Sequence, residues 1–244
     1  MAPNYRKQLF DTYYSTHAAS FDQDEQEKLV WSRLYIQENY LHHLAAFDRA
    51  RGALLEIGCS KGYFLKGFQS LGFEQLSGVD LSPEDVANAQ RIVPGVEVVH
   101  QEAREYLVQR ADRFDAILMK AVLEHIPKEE VLPLLQAMKT SLRAGGMVLI
   151  DVPNMDWLFA SHERYMDFTH ETGFTRESLR QVMNNAFEAV EIFPVDHIFH
   201  TDKITALKKK IGRKFMQMCL EWADPQGAQN PIWARNILGI GWKS

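Results

Sequence analysis

The hydrophobic positions of this chain change rhythm in a regular way. Short, nearly continuous apolar runs predict buried strands: "ALLEIG" (53–58), "QLSGVDL" (75–81), "VEVVH" (96–100), "FDAILMK" (114–120) and "MVLIDVP" (147–153). Between them, near 61–71, 83–91, 103–110 and 128–142, lie longer amphipathic stretches that predict helices. Strand and helix alternating in this order build right-handed βαβ units, and so a parallel sheet with helices on both faces. Ser82, Pro83 and Asp85 supply the cap, first-turn proline and N3 acid of a helix start, and "RAGG" (143–146) reads as a helix stop. Thr175 with Glu177 opens a helix carrying Leu179, Val182 and Met183 on one side; "AVEIFPV" (189–195) and "NILGIGW" (236–242) predict two late strands.

Two segments fall outside this alternation. Residues 1–48 hold aromatic, helix-like material that predicts a leading cap on a core of 49–200, and 201–244 adds a helical segment before the final strand. Within that segment Ile204, Leu207, Ile211, Phe215, Met218, Cys219 and Trp222 recur near helical spacing, while Lys208, Lys209, Lys210, Arg213 and Lys214 crowd the remainder. Three roles stay open for 203–222: a lid over a substrate site, a contact between two copies in a homodimer, or a peripheral contact with an anionic membrane.

Composition narrows the function. With 46% hydrophobic and 24% charged residues, 244 residues can bury a sizeable core, and a net charge of −5 disfavours nucleic acid as a partner. Small neutral or modest-sized substrates suit the chain better. Its two cysteines, Cys59 and Cys219, have no metal-ligand or framework spacing. The opening "MAPNYRKQLF" has no apolar signal stretch, so a cytoplasmic location is expected.

The chemistry concentrates in "LLEIGCSKGYF" (54–64). A dinucleotide fingerprint fails there, because the second and third glycine positions counted from Gly58 are Ser60 and Tyr63; a P-loop fails for want of its glycine, lysine and hydroxyl spacing. Glu56, two residues before Gly58, would repel a phosphate, and burying it demands a cationic or hydrogen-donating partner. S-adenosylmethionine offers an ammonium and a sulfonium and no phosphate. Asp80, 24 positions further on at the end of the second strand, is near the spacing at which a carboxylate meets ribose hydroxyls.

With these residues in view, 50–200 resembles a class I S-adenosylmethionine-dependent methyltransferase: "LLEIGCSKGYF", "LSGVDLS", "FDAILMKAVLEHI" and "LRAGGMVLIDVPN" follow in that superfamily's order. The resemblance implies a Rossmann-like seven-stranded sheet, mostly parallel, with its last strand antiparallel. It also implies that Glu56, Gly58, Cys59, Ser60 and Gly62 form the methionine end of the cofactor site. Asp80 would serve the ribose, Leu81 the adenine face, Glu102 or Ala103 its edge, and Lys120 and Ala121 the sulfonium. Ser60 departs from the pattern, standing where a glycine is usual.

The stretch "ERYMDFTHETGFTRESL" (163–179) is similar to one in bacterial methyltransferases encoded with polysaccharide, O-antigen and capsule genes, which implies methylation of a hydroxyl on a sugar, sugar nucleotide or glycan-associated group. On that reading His170 is the general base, Asp167 orients it or contacts the sugar, Arg164 holds an anionic part of the acceptor, and Tyr14 and His125 touch the acceptor. "LEH" (123–125) is locally similar to ubiquinone-biosynthesis O-methyltransferases, in which an acid three residues upstream joins the Glu and His at a metal. Here that position is Ala121, so no metal is expected, and a quinone-like or other small-metabolite acceptor stands as the alternative, as does a binding protein without turnover.

Overall fold

A computed structural model describes residues 9–10, 24–195, 203–223 and 234–244; Tyr14, with its neighbours Tyr13 and His17, lies outside them. Seven strands form one sheet: β1 (Ala53–Ile57), β2 (Gln75–Asp80), β3 (Glu97–His100), β4 (Phe114–Lys120), β5 (Leu142–Pro153), β6 (Ala189–Val195) and β7 (Asn236–Trp242). Their order is β3-β2-β1-β4-β5-β7-β6. Strands β1 to β5 pair in parallel, while β7 runs antiparallel to both β5 and β6. The order reverses between β1 and β4, which opens a crevice at the carboxyl ends of those strands.

Alternation along the strands divides the core in two. Leu55, Ile57, Val79, Ile117, Met119 and Ile150 meet α4 (Ala103–Leu107), α5 (Lys128–Ser141) and α7 (Arg176–Met183) on one face. Leu54, Leu76, Ala116, Leu118 and Leu149 meet α1 (Glu25–Asn39), α2 (Tyr63–Ser70) and α3 (Pro83–Ile92) on the other. The expected caps form: Ser82 Oγ accepts from Asp85 N–H with Pro83 in the first turn, and Thr175 caps α7 reciprocally with Ser178 rather than with Glu177. One boundary differs. Helix α5 ends at Ser141, before "RAGG", and β5 starts at Leu142, since Phe114 already pairs with Leu142 and an irregularity separates that pair from Ala116–Met147.

A short helix, α6 (Ala160–Tyr165), lies in the segment after β5. Between β6 and β7 comes α8 (Lys203–Ala223). The chain enters and leaves that excursion at one end of the sheet, where Val195 and Pro153 both pair with Asn236.

Candidate active site

Two cavities open at the crevice. The first is lined by the β1 and β2 ends, the loop after β3 and the turn after β4, with Gly58, Asp80, Leu81, Glu102, Ala103 and His125 on its walls. The second lies beside it and is lined by Trp31, Lys120, Glu124, Asp167, His170 and Asn236, among others. Ala121 and His125 belong to both.

The first cavity is shaped by backbone. Gly58 has φ +70°, and a Cβ there would overlap Val122 Cγ2, so only glycine admits the turn. Ser60 adopts φ +43°, the left-handed conformation that the usual glycine would take without strain, and its N–H donates to Asp80 Oδ2 at 2.8 Å. The Ser82 N–H donates to Asp80 Oδ1, also at 2.8 Å. Burial raises the Asp80 carboxyl, while the N–H groups of Ser82, Ser60 and Leu81 pull it back toward its ionised form. Glu102 lines the cavity and also caps α4, its Oε2 accepting from Glu105 N–H at 2.9 Å.

Other assignments from the sequence land elsewhere. Glu56 stands behind the cavity wall, 3% exposed, with Oε2 lacking a hydrogen-bond partner among the described residues. Burial first, then the charge of Asp80, pushes its carboxyl well above the usual range, against the pull of Lys120. Cys59, expected to touch the cofactor, is packed into the core instead: its Sγ occupies the space beside Gly78, where a Cβ would lie 2.8 Å away. The lining residues Phe10, Gln101, Val122 and Ile126 were given no role in the sequence reading, although Val122 and Ile126 lie within "FDAILMKAVLEHI".

The second cavity is shaped by side chains from distant segments. Lys120, expected beside the sulfonium, lines this cavity and holds its Nζ over the rings of Tyr35 (5.1 Å), Phe64 (5.6 Å) and Trp31 (5.9 Å). Its charge draws down the carboxyls of both Glu56 and Glu124. Below it the fully buried Asp151 accepts from Tyr35 OH (2.6 Å), Tyr40 OH (2.5 Å) and Asn236 Nδ2 (2.8 Å), joining α1 to β5 and β7. Glu163 and Arg235 pair at 2.9 Å on the rim.

The segment 163–170 folds around Asp167. Its Oδ1 accepts from Thr169 N–H (2.8 Å) and Thr169 Oγ1 (2.7 Å), and Thr169 Oγ1 lies 2.8 Å from His125 Nδ1. Asp167 therefore reaches His125 through Thr169, where the sequence reading had it orienting His170. The ring of His170 sits edge-on to that of His125, centroids 4.7 Å apart. Burial lowers its pKa against the carboxylate of Asp167 and the carbonyls of Glu163 and Arg164. Arg164, expected to bind an anionic acceptor group, donates instead to the carbonyls of His170 (2.5 Å) and Glu171 (3.0 Å) and pins the loop.

Ala121 leaves the metal motif one acid short in the sequence; the fold brings His170 to Glu124 and His125, with ligand atoms all within 4.8 Å of one another, a group that could hold a metal ion. Both Glu124 oxygens are buried without a hydrogen-bond partner among the described residues, and burial pushes its carboxyl up to about 8.

Residues 25–192 match a family model described as a methyltransferase domain. Among curated proteins, the chain is 24% identical over 155 residues to a ubiquinone biosynthesis O-methyltransferase of Xanthomonas axonopodis pv. citri, covering 62% of this chain and 63% of that one. It is 31% identical over 105 residues to the protein of that name from Aeromonas salmonicida, covering 41% and 43%. The matches thus span less than two thirds of these relatives. Among solved structures, an S-adenosylmethionine-dependent methyltransferase from Archaeoglobus fulgidus superposes with a TM-score of 0.66 at 19% identity, over 96% of this chain and all of the other. A Haemonchus contortus phosphoethanolamine N-methyltransferase, solved with S-adenosylhomocysteine, gives 0.59 at 18% identity over 97% and 60%.

Proposed function

Since the chain belongs to the methyltransferase-domain family and is of its S-adenosylmethionine-dependent kind, we propose that it methylates a hydroxyl of a small aromatic or quinone-like metabolite. The observation that carries this reading is the junction of the two cavities at Ala121 and His125. The first cavity fits S-adenosylmethionine: Gly58 leaves backbone room, Asp80 presents a carboxylate already fixed by backbone, and behind the wall Glu56 is a buried acid with an unmatched oxygen. When bound, that cofactor supplies an electrophilic methyl group on a sulfonium.

The chain's own part is to align the acceptor oxygen and take its proton. Thr169 has one hydroxyl proton and gives it to Asp167 Oδ1, so its oxygen accepts from His125 Nδ1–H. This assigns the tautomer in which His125 Nε2 carries the lone pair. His125 lies on the wall common to both cavities; in this reading its Nε2 receives the acceptor proton, and the Asp167 carboxylate stabilises the resulting imidazolium through Thr169. His125 takes the role first given to His170.

The choice of acceptor follows from what the second cavity lacks. Arg164 is committed to loop carbonyls and Arg235 to Glu163, which removes the grounds for a sugar diphosphate. Trp31, Pro153 and Met166 offer flat apolar walls, and the curated relatives bear the name of a quinone pathway. The surface-polysaccharide reading thereby yields to its alternative.

A second reading rests on the orphaned oxygens of Glu124. With His125 and His170 it forms a donor set suited to a divalent cation, whose charge would hold an acceptor oxygen in its deprotonated form. Assays of methyl transfer from S-adenosylmethionine to catechols and hydroquinones, beside sugar nucleotides, test these readings. Methylated phenols with no loss on chelation are expected, and His125→Ala should lower kcat by about 10²–10⁴ while S-adenosylhomocysteine affinity changes only about threefold or less. Loss of activity in chelator, restored by Mg²⁺ or Zn²⁺, would move His125 from base to ligand. Transfer to sugars alone would reinstate the glycan acceptor, and binding without transfer to any of them would contradict the proposal.

A further inference from the structure

Helix α8 presents its amphipathic character the wrong way round for a soluble helix. At about 100° per residue, Ile204, Leu207, Ile211, Phe215, Met218 and Trp222 fall within one stripe about 80° wide. All six are more than half exposed, Phe215 at 62% and Trp222 at 86%. On the opposite side Ala206, Arg213, Met216, Gln217 and Leu220 are half-buried. The helix therefore half-buries its mixed face and turns its apolar face outward. An exposed apolar stripe of this length marks a binding surface.

Charge indicates what covers it. Residues 203–223 carry six basic side chains and one acidic, a local +5 on a chain whose total is −5. Lys214 and Lys208 project about 20° beyond the two margins of the stripe, where their stems can lie along an apolar phase while the ammonium groups stay in the headgroup layer. A second copy would set two such positive helices face to face. No helix among the described residues is long and apolar enough to cross a membrane, and a helix lying in the interface needs no such length of apolar sequence.

We propose that α8 binds the surface of an anionic lipid bilayer, with Leu207, Ile211, Phe215, Met218 and Trp222 in the acyl boundary and the lysines on lipid phosphates. Its chain connections begin and end at the sheet edge that carries Asn236, a wall of the second cavity. Binding thus tethers that edge near the bilayer, where a lipid-dissolved or lipid-linked acceptor is concentrated.

The test is flotation of the full chain with vesicles of phosphatidylcholine alone or with about 30% phosphatidylglycerol, at physiological salt, alongside sedimentation equilibrium without lipid. Association is expected to be on the order of tenfold stronger with the anionic vesicles and to fall as salt rises. The double variants Phe215→Glu/Trp222→Glu and Lys208→Glu/Lys214→Glu should each abolish it. Both should retain wild-type affinity for S-adenosylhomocysteine, which shows that they fold and separates this proposal from the acceptor assignment. Failure of the wild-type chain to float with anionic vesicles would overturn the proposal. So would binding that survives both variants, or a lipid-free dimer that the Phe215/Trp222 variant dissociates.

Discussion

The two cavities are built by different means. The first is shaped by main chain: Asp80 is held by the N–H groups of Ser60 and Ser82, and the turn at Gly58 leaves no room for a side chain. The second, proposed to take the acceptor, is shaped by side chains from α1, the turn after β4, the loop around Asp167 and the start of β7. The first kind of site depends on a few residues at fixed spacing, the second on distant segments meeting. Mutations should divide along the same line.

The largest effect is expected in the backbone-built half. Gly58→Ala places a Cβ at φ +70° against Val122 Cγ2, combining left-handed strain of about 1–2 kcal/mol with overpacking of about 1–3 kcal/mol. S-adenosylhomocysteine affinity measured by calorimetry should fall on the order of a hundredfold, with a lower Tm. Unchanged affinity would mean that the turn relaxes freely and that its glycine is no part of recognition.

In the side-chain-built half, Tyr35→Phe removes one of the two hydroxyls that donate to Asp151 and leaves a buried carboxylate short of a partner. A loss of about 1.5–3 kcal/mol of stability is expected from denaturant unfolding. The variant should bind S-adenosylhomocysteine normally and raise KM for the acceptor, since Trp31 lines the pocket one turn earlier on the same helix. An equal loss of cofactor affinity would show the two halves to be one cooperative unit.

The same division explains what the sequence reveals. The sheet, the antiparallel last strand and Gly58, Asp80, Leu81 and Ala103 on the cleft wall were legible because strands and glycine turns are local, with fixed periods. Cys59 was misplaced because alternation past the end of β1 does not say which way a left-handed turn points the next side chain; here it points into the core. The link from Asp167 to His125 had no sequence signal, because the contact through Thr169 spans 44 residues, whereas spacing puts Asp167 and His170 in one loop. Asn236 and Arg235 had no signal at all: they join the pocket only because β7 returns between β5 and β6.

The smallest effect, and the most discriminating, concerns the buried acid that each cavity leaves unmatched. Burial raises Asp85, on the cofactor side, to about 6 and Glu124, on the acceptor side, to about 8. Both values lie above those of the unfolded chain, so the stability each confers is fully present below about pH 4 and is lost as pH rises through the folded value. From pH 6.5 to 8 Asp85 is already largely ionised, and Glu124 alone still releases its proton. In the presence of a chelator, the Tm of Glu124→Gln should therefore gain on the wild type across that window by a few degrees, about 1–2 kcal/mol, whereas Asp85→Asn should run nearly parallel to it. If Glu124→Gln runs parallel as well, its carboxylate is already ionised at neutral pH and Lys120 suffices to hold it. If a difference seen in chelator disappears on adding Zn²⁺ or Mg²⁺, Glu124 belongs to a cation site, and the contrast between the two cavities extends to the charge each is built to receive.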